Sequence, residues 1–231
     1  MTITLITGAN KGLGYETARR LTGLGHTVLA GARDPDRGTR AAGELGVTFI
    51  QIDPTDDDSV DAATRRVRDE FGRLDVLINN AGTAAPRLGA AELTAGAAME
   101  GFGVNVLGPI RVIHAFLPLL RASAHPRIVN VSSGAGSFHR ILEPGSVEHA
   151  VTLPVYPATK AALTMLTVQY ARALGGILVN AADPGFTGTD FNNHRGTQTV
   201  TEGTDAIVHL ATLSPDGPTG TFQDRHGPVP W

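Results

Sequence analysis

Short apolar runs rich in β-branched residues alternate along the chain with longer segments of helical period. The apolar runs predict seven strands, at Thr2–Thr7, Thr27–Gly31, Val47–Ile52, Leu74–Asn79, Arg127–Val131, Ile177–Ala181 and Gly220–Gln223. The periodic segments predict helices near Gly14–Leu24, Asp36–Leu45, Asp57–Phe71, Thr94–Arg121, Val155–Leu174 and Glu202–Leu213. Alternating strands and helices predict an α/β fold with a doubly wound parallel sheet of about seven strands and helices on both faces.

The same pattern predicts one domain over residues 1–231, because no repeat, low-complexity tract or linker-like change of composition interrupts it. Two segments, near 134–154 and 183–200, are longer than the usual strand-to-helix connection. In an open α/β sheet such loops follow the carboxyl ends of strands, where ligands bind. We therefore expect both segments to shape a binding site.

Composition narrows the classes of function. The chain has 19 basic and 22 acidic residues and a net charge of −3, so we expect no nucleic-acid partner. It has no Cys, and its eight His show no metal-ligand spacing, so we predict neither disulfides nor a metal site. No apolar stretch approaches the ~18 residues of a membrane span, and the N-terminus lacks a signal-peptide core. We expect a cytoplasmic protein with no membrane partner.

The first strand is followed directly by the segment Thr7-Gly8-Ala9-Asn10-Lys11-Gly12-Leu13-Gly14. Glycines let backbone N–H groups approach a pyrophosphate, and the N-terminus of the following helix favours its negative charge. The spacing is Gly-x3-Gly-x-Gly rather than the commoner Gly-x-Gly-x-x-Gly. A tight turn that binds nothing is the alternative to a dinucleotide site.

The end of the second strand bears on the choice of dinucleotide. An NAD site usually has an acid there to hold the ribose 2′-hydroxyl, but this strand ends Gly31-Ala32-Arg33. Arg33 and Lys11 could instead flank a 2′-phosphate. A solvated surface Arg33 is the alternative. Together with the glycine loop, Arg33 predicts that NADPH/NADP⁺ is preferred over NADH/NAD⁺.

Tyr156 and Lys160 are four residues apart at the start of a predicted helix and hence on one face of it. A phenol has an ordinary pKa of about 10, and a nearby cation lowers that pKa toward the working range of a proton donor. Alone the pair is weak evidence, because long helices often carry such a pair on their surface.

Seven motifs in one order give the chain a resemblance to the short-chain dehydrogenase/reductase family over essentially its full length. They are Thr7-Gly8-x3-Gly12-x-Gly14, Asp53, Asn79-Asn80-Ala81-Gly82, Asn105, Ser132-Ser133, Tyr156-x3-Lys160 and Pro184-Gly185-x-Thr187-x-Thr189. The only two lysines of the chain, Lys11 and Lys160, both fall within these motifs. The resemblance implies a single-domain Rossmann fold and a nicotinamide-dependent oxidoreductase.

The resemblance also implies residue roles. Tyr156 would donate the proton, Ser133 would orient the carbonyl oxygen, Lys160 would lower the Tyr156 pKa and hold the nicotinamide ribose, and Asn105 would anchor a water. Asp53 would bind the adenine amino group, and the segment from Pro184 would cover the nicotinamide. The full set of expected cofactor-binding residues is Gly8, Asn10, Lys11, Gly12, Leu13, Gly14, Arg33, Asp53, Asn80, Ala81, Gly82, Tyr156, Lys160, Pro184, Gly185, Thr187 and Thr189.

Ser133 and Tyr156 are 23 positions apart, farther than in many members of the family. The extra segment His139–Pro154 resembles the insertion of the carbonyl-reductase branch, in which monomers occur, so a monomer is favoured over the usual homotetramer. We expect the insertion and the loop after the sixth strand to form the substrate pocket, with Phe138, His139, Phe186, Phe191 and Trp231 as candidates. An apolar pocket suits a hydrophobic ketone, aldehyde or quinone.

The expected function is NADPH-dependent reduction of such a carbonyl. An NADP-dependent alcohol or hydroxysteroid-type dehydrogenase that works oxidatively is the first alternative, since the sequence does not record direction. A non-catalytic NADP-binding redox sensor is the second. The joint presence of Asn105, Ser133, Tyr156 and Lys160 disfavours the sensor.

Overall fold

Eight strands form one sheet in the computed structural model, which describes all 231 residues. The strands are β1 (Ile3–Ile6), β2 (Thr27–Ala32), β3 (Thr48–Gln51), β4 (Val76–Asn79), β5 (Arg127–Val131), β6 (Leu178–Ala182), β7 (Phe222–Asp224) and β8 (Gly227–Pro228). All seven predicted strands are present. The eighth was not predicted, because two residues cannot show an alternating pattern.

The helices are α1 (Gly12–Gly23), α2 (Pro35–Leu45), α3 (Asp57–Phe71), α4 (Ala95–Phe102), α5 (Gly108–Arg121), α6 (Phe138–Leu142), α7 (Val155–Ala173), α8 (Val200–Gly203) and α9 (Asp205–Ala211). Local chemistry fixes several ends. The Asp34 and Asp56 carboxylates accept backbone N–H groups at the starts of α2 and α3. The same helices end at Gly46 and Gly72, which have φ of 66° and 73°.

Helices cover both faces of the sheet, because alternate side chains of each strand point to opposite faces. Leu5 of β1 packs with buried residues of α3 and α5 in one apolar cluster. Its neighbour Ile6 packs with buried residues of α1 and α9 in another. The expected doubly wound α/β architecture is confirmed.

The strand order β3-β2-β1-β4-β5-β6-β7-β8 fixes where a ligand can bind. All pairs are parallel except β7 and β8. The chain leaves β1 toward β2 on one side and later returns to pair β4 on the other side. Connections from these two neighbouring strands diverge, so a crevice opens at their carboxyl ends.

Some predicted elements differ from the observed ones. The helix expected over Thr94–Arg121 is α4, a π-helical turn at Gly103–Leu107, and α5. The helix expected over Glu202–Leu213 is α8 and α9, separated at Thr204. The long segment near 134–154 contains a 3₁₀ turn at Gly134–Gly136 and helix α6.

The segment Ala95–Arg121 also corrects an expectation about apolar length. An 18-residue window within it has a mean hydropathy of 1.5, so by length and composition it could cross a membrane. The physical reason for this apolarity is packing on the sheet, since Val112, Ile113 and Phe116 of α5 are fully or almost fully buried. Core helices of soluble folds pass the same test.

Candidate active site

A cleft of about 1040 Å³ lies at the carboxyl ends of the strands. Most of the residues predicted for the site line it. They are Gly8, Asn10, Lys11, Gly12, Leu13, Gly14, Arg33, Asp53, Asn80, Ala81, Gly82, Ser133, Tyr156, Lys160, Pro184, Gly185, Phe186, Thr187, Thr189 and Phe191. The sequence motifs thus converge on one cavity, although they are spread over the whole chain.

The glycine loop between β1 and α1 is tightly packed against the turn after β4. A Cβ on Gly14 would lie 2.4 Å from the Gly8 carbonyl oxygen and 2.5 Å from Asn80 Nδ2, so only glycine fits there. Gly12 has φ of 56°, in the left-handed region. The Asn80 side chain donates to the carbonyl oxygens of Thr7 (2.8 Å) and Gly8 (3.1 Å). Asn80 therefore holds the loop in place.

No side chain caps the N-terminus of α1, which begins at the cleft. Free backbone N–H groups at a helix start attract anions. The close packing of Gly8 against Gly14 keeps side-chain atoms out of the space in front of them. This loop fits the pyrophosphate of a dinucleotide, and the residues that would hold it are Gly8 to Gly14.

Two cations border this end of the cleft. Arg33 lies at the end of β2, is exposed, and makes no hydrogen bond or ion pair with another side chain. Lys11 Nζ lies 3.1 Å from Asp190 Oδ2 in the loop after β6, and both side chains are more than half exposed. The two cations are available to a phosphate, although Asp190 competes for Lys11.

The Asp53 carboxylate follows β3 and accepts hydrogen bonds from the backbone N (2.9 Å) and hydroxyl (2.7 Å) of Thr55. These bonds hold Asp53 at the rim of the cleft beside Arg33. On the opposite side the buried Thr187 donates to the Pro184 carbonyl oxygen (2.8 Å), which folds the loop after β6 back on itself. The predicted adenine and nicotinamide ends thus lie on either side of the glycine loop.

The predicted catalytic side chains meet at the start of α7. Lys160 Nζ lies 5.7 Å from the centroid of the Tyr156 ring and donates to the Val131 carbonyl oxygen at 2.8 Å. The Ser133 hydroxyl, directly after β5, accepts from the backbone N of Ala135 at 3.2 Å. The Phe191 ring lies 5.7 Å from the Tyr156 ring. Tyr, Lys and Ser are therefore brought together as the motif implies.

Burial dominates the protonation of the Tyr–Lys pair. It raises the pKa of Tyr156 to about 12, with a smaller upward effect from the Asp183 carboxylate, while the Ser133 hydroxyl acts in the opposite direction. Burial also lowers the pKa of Lys160 to about 8, and Asp183 opposes that change. The expected lowering of the Tyr156 pKa is therefore not met in this structure. At neutral pH the pair is a neutral phenol beside an ammonium group.

Asn105 lies in the π-helical turn and is buried beneath the lining of the cleft. Its amide donates to the Thr83 carbonyl oxygen (2.8 Å) and the Thr159 hydroxyl (2.9 Å), and its Oδ1 accepts from the Thr83 backbone N (2.8 Å). Asn105 thereby joins the loop after β4 to α7. π-Helical turns of this kind are frequent at functional sites.

Three of the predicted substrate-pocket residues do not line the cleft. Phe138 and His139 lie on α6 and are exposed to solvent, and Trp231 lies outside the cleft, with its ring 5.9 Å from the Phe222 ring. The reason is the orientation of α6, whose Arg140 turns inward to the sheet. Phe186 and Phe191 do line the cleft, as expected.

The insertion contributes other side chains that sequence reasoning missed. Val147, Glu148 and Val151 line the cleft, and Asp183 lines it directly after β6. Of these missed residues only Asp183 could have been found from the sequence. A carboxylate at the end of a buried strand needs a partner that offsets its desolvation. Its partner is Arg140, at 2.7 Å.

Comparison with known proteins gives one consistent family. The model of the short chain dehydrogenase family matches residues 2–199. The chain is 39% identical to the short-chain dehydrogenase anuI of Penicillium roqueforti, over 91% of this chain and 88% of that protein. It is 32% identical to (+)-neomenthol dehydrogenase of Arabidopsis thaliana, over 96% and 95% of the two chains. The structure of NADPH-bound carbonyl reductase from chicken fatty liver superposes with a TM-score of 0.88 and 28% identity, over all of both chains.

Proposed function

We propose, from its membership of the short-chain dehydrogenase family, that the chain is an NADPH-dependent reductase of a hydrophobic ketone, aldehyde or quinone. Members of this family are oxidoreductases that act on alcohols and carbonyls with a nicotinamide cofactor. The observation that carries the proposal is the neutral phenol of Tyr156, partly buried beside Lys160 and Ser133 in a cleft that also holds the glycine loop and Arg33. The similarity to the NADPH-bound carbonyl reductase supports it.

In this proposal Tyr156 is the proton donor. A phenol with a pKa of about 12 stays protonated throughout the neutral range, as a general acid must. Ser133 donates its hydroxyl proton to the carbonyl oxygen of the substrate, since its oxygen already accepts from Ala135 N. A bound reduced nicotinamide supplies the hydride.

Lys160 has a positioning and electrostatic role. One of its three protons is donated to Val131, which fixes the ammonium below Tyr156 and leaves two protons for ribose hydroxyls. Asn105 joins the loop after β4 to α7 beneath the cleft. A Cβ on Gly82 would lie 3.3 Å from Asn105 Oδ1 and 3.7 Å from Lys160 Nζ, so both side chains approach the same point. A water held there lies on a route that returns a proton to Tyr156.

The polarity of the cleft supports an apolar substrate. Phe186, Phe191, Val147 and Val151 contribute apolar surface to the cleft, and the Phe191 ring lies 5.7 Å from the Tyr156 ring. Phe186 and Phe191 are each about 40% exposed. A partly exposed aromatic rim admits a hydrophobic carbonyl compound more readily than a charged one. A monomeric state and a cytoplasmic location remain predictions.

The experiment that tests this function is NADPH oxidation across a panel of ketones, aldehydes and quinones, with Tyr156→Phe measured beside the wild type. Turnover should fall by ~10²-fold or more in the variant, while NADPH affinity stays within a few-fold. Tyr170→Phe is the matched control, because Tyr170 lies on the same helix but packs against the core.

Three outcomes contradict the proposal. Undiminished turnover in Tyr156→Phe would remove the phenol from the chemistry. Binding of NADPH with no reduction of any carbonyl, followed by rapid NADP⁺ reduction on an alcohol panel, would favour the oxidative dehydrogenase instead. Binding without turnover in either direction would favour a sensor.

A further inference from the structure

A buried ionic cluster lies next to the catalytic residues and belongs to none of the family motifs found in the sequence. Arg140 of α6 lies 2.7 Å from Asp183 Oδ2, 2.7 Å from Asp224 Oδ2 on β7, and 3.7 Å from Glu148 Oε1. The Asp183 side chain is only 1% exposed. One cation therefore serves three carboxylates, and one of these is almost fully removed from solvent.

Gly134 makes the room for this cluster. A Cβ on Gly134 would lie 2.2 Å from Glu148 Oε1, 2.9 Å from Asp183 Oδ2 and 3.0 Å from Arg140 Nη1. Gly134 directly follows Ser133, whose hydroxyl caps the same turn. The charged groups thus occupy the space that a side chain at position 134 would fill, next to Ser133.

Asp183 also connects the cluster to the loop over the nicotinamide end of the cleft. Its Oδ1 accepts from the backbone N of Gly185 at 2.9 Å. Its carboxylate raises the pKa of both Tyr156 and Lys160. Burial raises the pKa of Asp183 itself, and the charge of Arg140 opposes that rise. The charge state of this carboxylate is therefore felt at the proton donor.

We propose that Arg140 is a positioning residue that fastens the insertion to the end of the sheet and partly cancels the charge of Asp183 beside Tyr156 and Lys160. The proposal has a mechanical half, the fastening of the insertion, and an electrostatic half, the effect on the charge of Asp183. The mechanical half follows from the two 2.7 Å contacts of Arg140, one to Asp183 after β6 and one to Asp224 at the end of β7. The electrostatic half follows because a planar guanidinium can hold two carboxylates at once. The inference rests on the proposed function only for its effect on catalysis.

Other charged groups bear on the same centre and have to be held constant. They are Lys160 on α7, Glu148 in the insertion, Glu100 on α4, Arg87 in the loop after β4, and Lys11, Asp190 and His194 at the far rim. Among them only Glu148 lies within 4 Å of Arg140. Among these groups, a change at Arg140 therefore removes a direct ionic contact only from Glu148.

The chain offers a direct probe, since it contains only two lysines, Lys11 and Lys160. With ¹³Cε-labelled lysine, NMR spectra contain two side-chain signals, and Lys160 titrates near pH 8 while Lys11 is exposed. We would follow the Lys160 midpoint in the wild type, Arg140→Gln, Asp183→Asn, the double variant and Arg140→Lys. Arg225→Gln is the control, because Arg225 binds two carboxylates, Glu202 and Asp205, on the surface.

The two single variants should move the Lys160 midpoint in opposite directions. Arg140→Gln leaves Asp183 less compensated and raises the midpoint by about half a pH unit or more, whereas Asp183→Asn lowers it by a similar amount. The double variant should lie between them, and Arg140→Lys should stay close to the wild type. A midpoint unchanged in both single variants, or moved in the same direction by both, would overturn the electrostatic half.

The mechanical half has its own reporter. Trp231 is the only Trp, and its backbone carbonyl oxygen accepts from the His139 N at the start of α6 (3.1 Å). Its fluorescence should change in Arg140→Gln and much less in Arg140→Lys or Arg225→Gln. Identical spectra in all variants would overturn the fastening of the insertion. If Arg140→Gln fails to fold, Asp183→Asn tests both effects, because it removes the charge of Asp183 and weakens one of the two short contacts of Arg140. An unchanged Lys160 midpoint in Asp183→Asn would then overturn the electrostatic effect, and unchanged Trp231 fluorescence would overturn the fastening of the insertion.

Catalysis adds a third readout. In kcat/KM for carbonyl reduction, the alkaline limb of the pH profile should move up in Arg140→Gln and down in Asp183→Asn, parallel to the NMR midpoints. A wild type that reduces no carbonyl would contradict the proposed function but leave the NMR and fluorescence results intact. Shifted midpoints with an unshifted pH profile would overturn the link between Arg140 and catalysis.

Discussion

At the scale of single residues, burial rather than charge pairing sets the state of the catalytic pair. Tyr156 and Lys160 are close in space, yet desolvation raises one pKa and lowers the other. Both changes favour neutral forms, as burial always does. A neutral phenol is the form that can donate a proton, as the proposed reduction requires. The Asp183 carboxylate raises the pKa of both groups, so its charge acts on the pair as a whole.

We expect residues at the end of β2 to decide which nicotinamide cofactor binds. Arg33 makes no hydrogen bond or ion pair with another side chain, and the position before it is Ala32 instead of an acid. A free guanidinium at the rim suits a 2′-phosphate, whereas an acid would repel it and bind the hydroxyl. We expect NADPH to bind at least tenfold more tightly than NADH, which corresponds to about 1.4 kcal/mol.

The test of this expectation is the double change Ala32→Asp with Arg33→Ala, followed by the dissociation constants of NADPH and NADH from fluorescence titration. The ratio should move toward NADH by tenfold or more. Arg37→Ala is the matched control, because Arg37 is an exposed Arg of α2 whose partner is Asp34. An unchanged ratio in the double variant would remove Arg33 from the cofactor site.

Residues next to strand ends could be predicted from sequence, and residues in the insertion could not. Ser133, Asn80 and Asp53 directly follow strands, so their position in the cleft follows from the parallel sheet. Phe138 and His139 sit on α6, whose orientation depends on Arg140 reaching Asp183 and Asp224 far along the chain. No local pattern encodes such a contact, and the prediction for these two residues was wrong.

At the scale of elements, α1 depends on the absence of a side chain at its first turn. A Cβ on Gly14 would meet the Gly8 carbonyl oxygen at 2.4 Å, a contact that requires backbone movement. Gly23, the last residue of the same helix, is exposed with nothing within 4 Å of its Cβ position. The two glycines therefore form a matched pair within one helix.

We expect Gly14→Ala to lower the free energy of unfolding by about 1–3 kcal/mol through overpacking, and to weaken dinucleotide binding by tenfold or more. Gly23→Ala should leave binding unchanged and stabilise the protein by about 0.5–1 kcal/mol, because it removes backbone freedom from the unfolded chain. Urea unfolding and NADPH titration give both quantities. Equal effects of the two substitutions would contradict the packing argument for the glycine loop.

The π-helical turn shows what periodicity cannot reveal. The apolar period runs from Thr94 to Arg121 without a break, so one helix was predicted. The turn at Gly103–Leu107 is explained by tertiary contacts instead, since Asn105 bonds to Thr83 and Thr159 on other segments. Helix and strand positions thus follow from the local pattern, but a change of helix type follows from partners distant in sequence.

At the scale of the whole molecule, the two faces and the two ends of the sheet have separate tasks. The apolar clusters on the two faces contain no residue of the catalytic set. The polar groups collect at the carboxyl ends, where the glycine loop, the loop after β6 and the insertion meet. The buried Lys160 ammonium in this region lowers the free energy of unfolding. The size of this effect can be measured from the pH dependence of that free energy.

Lys160 has a pKa of about 8 in the folded chain and an ordinary value of 10.5. Between these values the unfolded chain holds the extra proton, so the free energy of unfolding should rise with pH, by up to about 1.4 kcal/mol per pH unit. Above about pH 10 the sign reverses, because folded Tyr156 keeps its proton up to a pKa of about 12 while the unfolded phenol releases it. Stability should therefore peak near pH 10.

Urea unfolding measured from about pH 7 to 11 checks this pH dependence. Lys160→Met should abolish the rise in the free energy of unfolding. Lys11→Met, at the exposed second lysine, should retain it. A flat wild-type profile between about pH 8 and 10, or a rise that survives in Lys160→Met, would show that the ammonium is not desolvated as the structure has it.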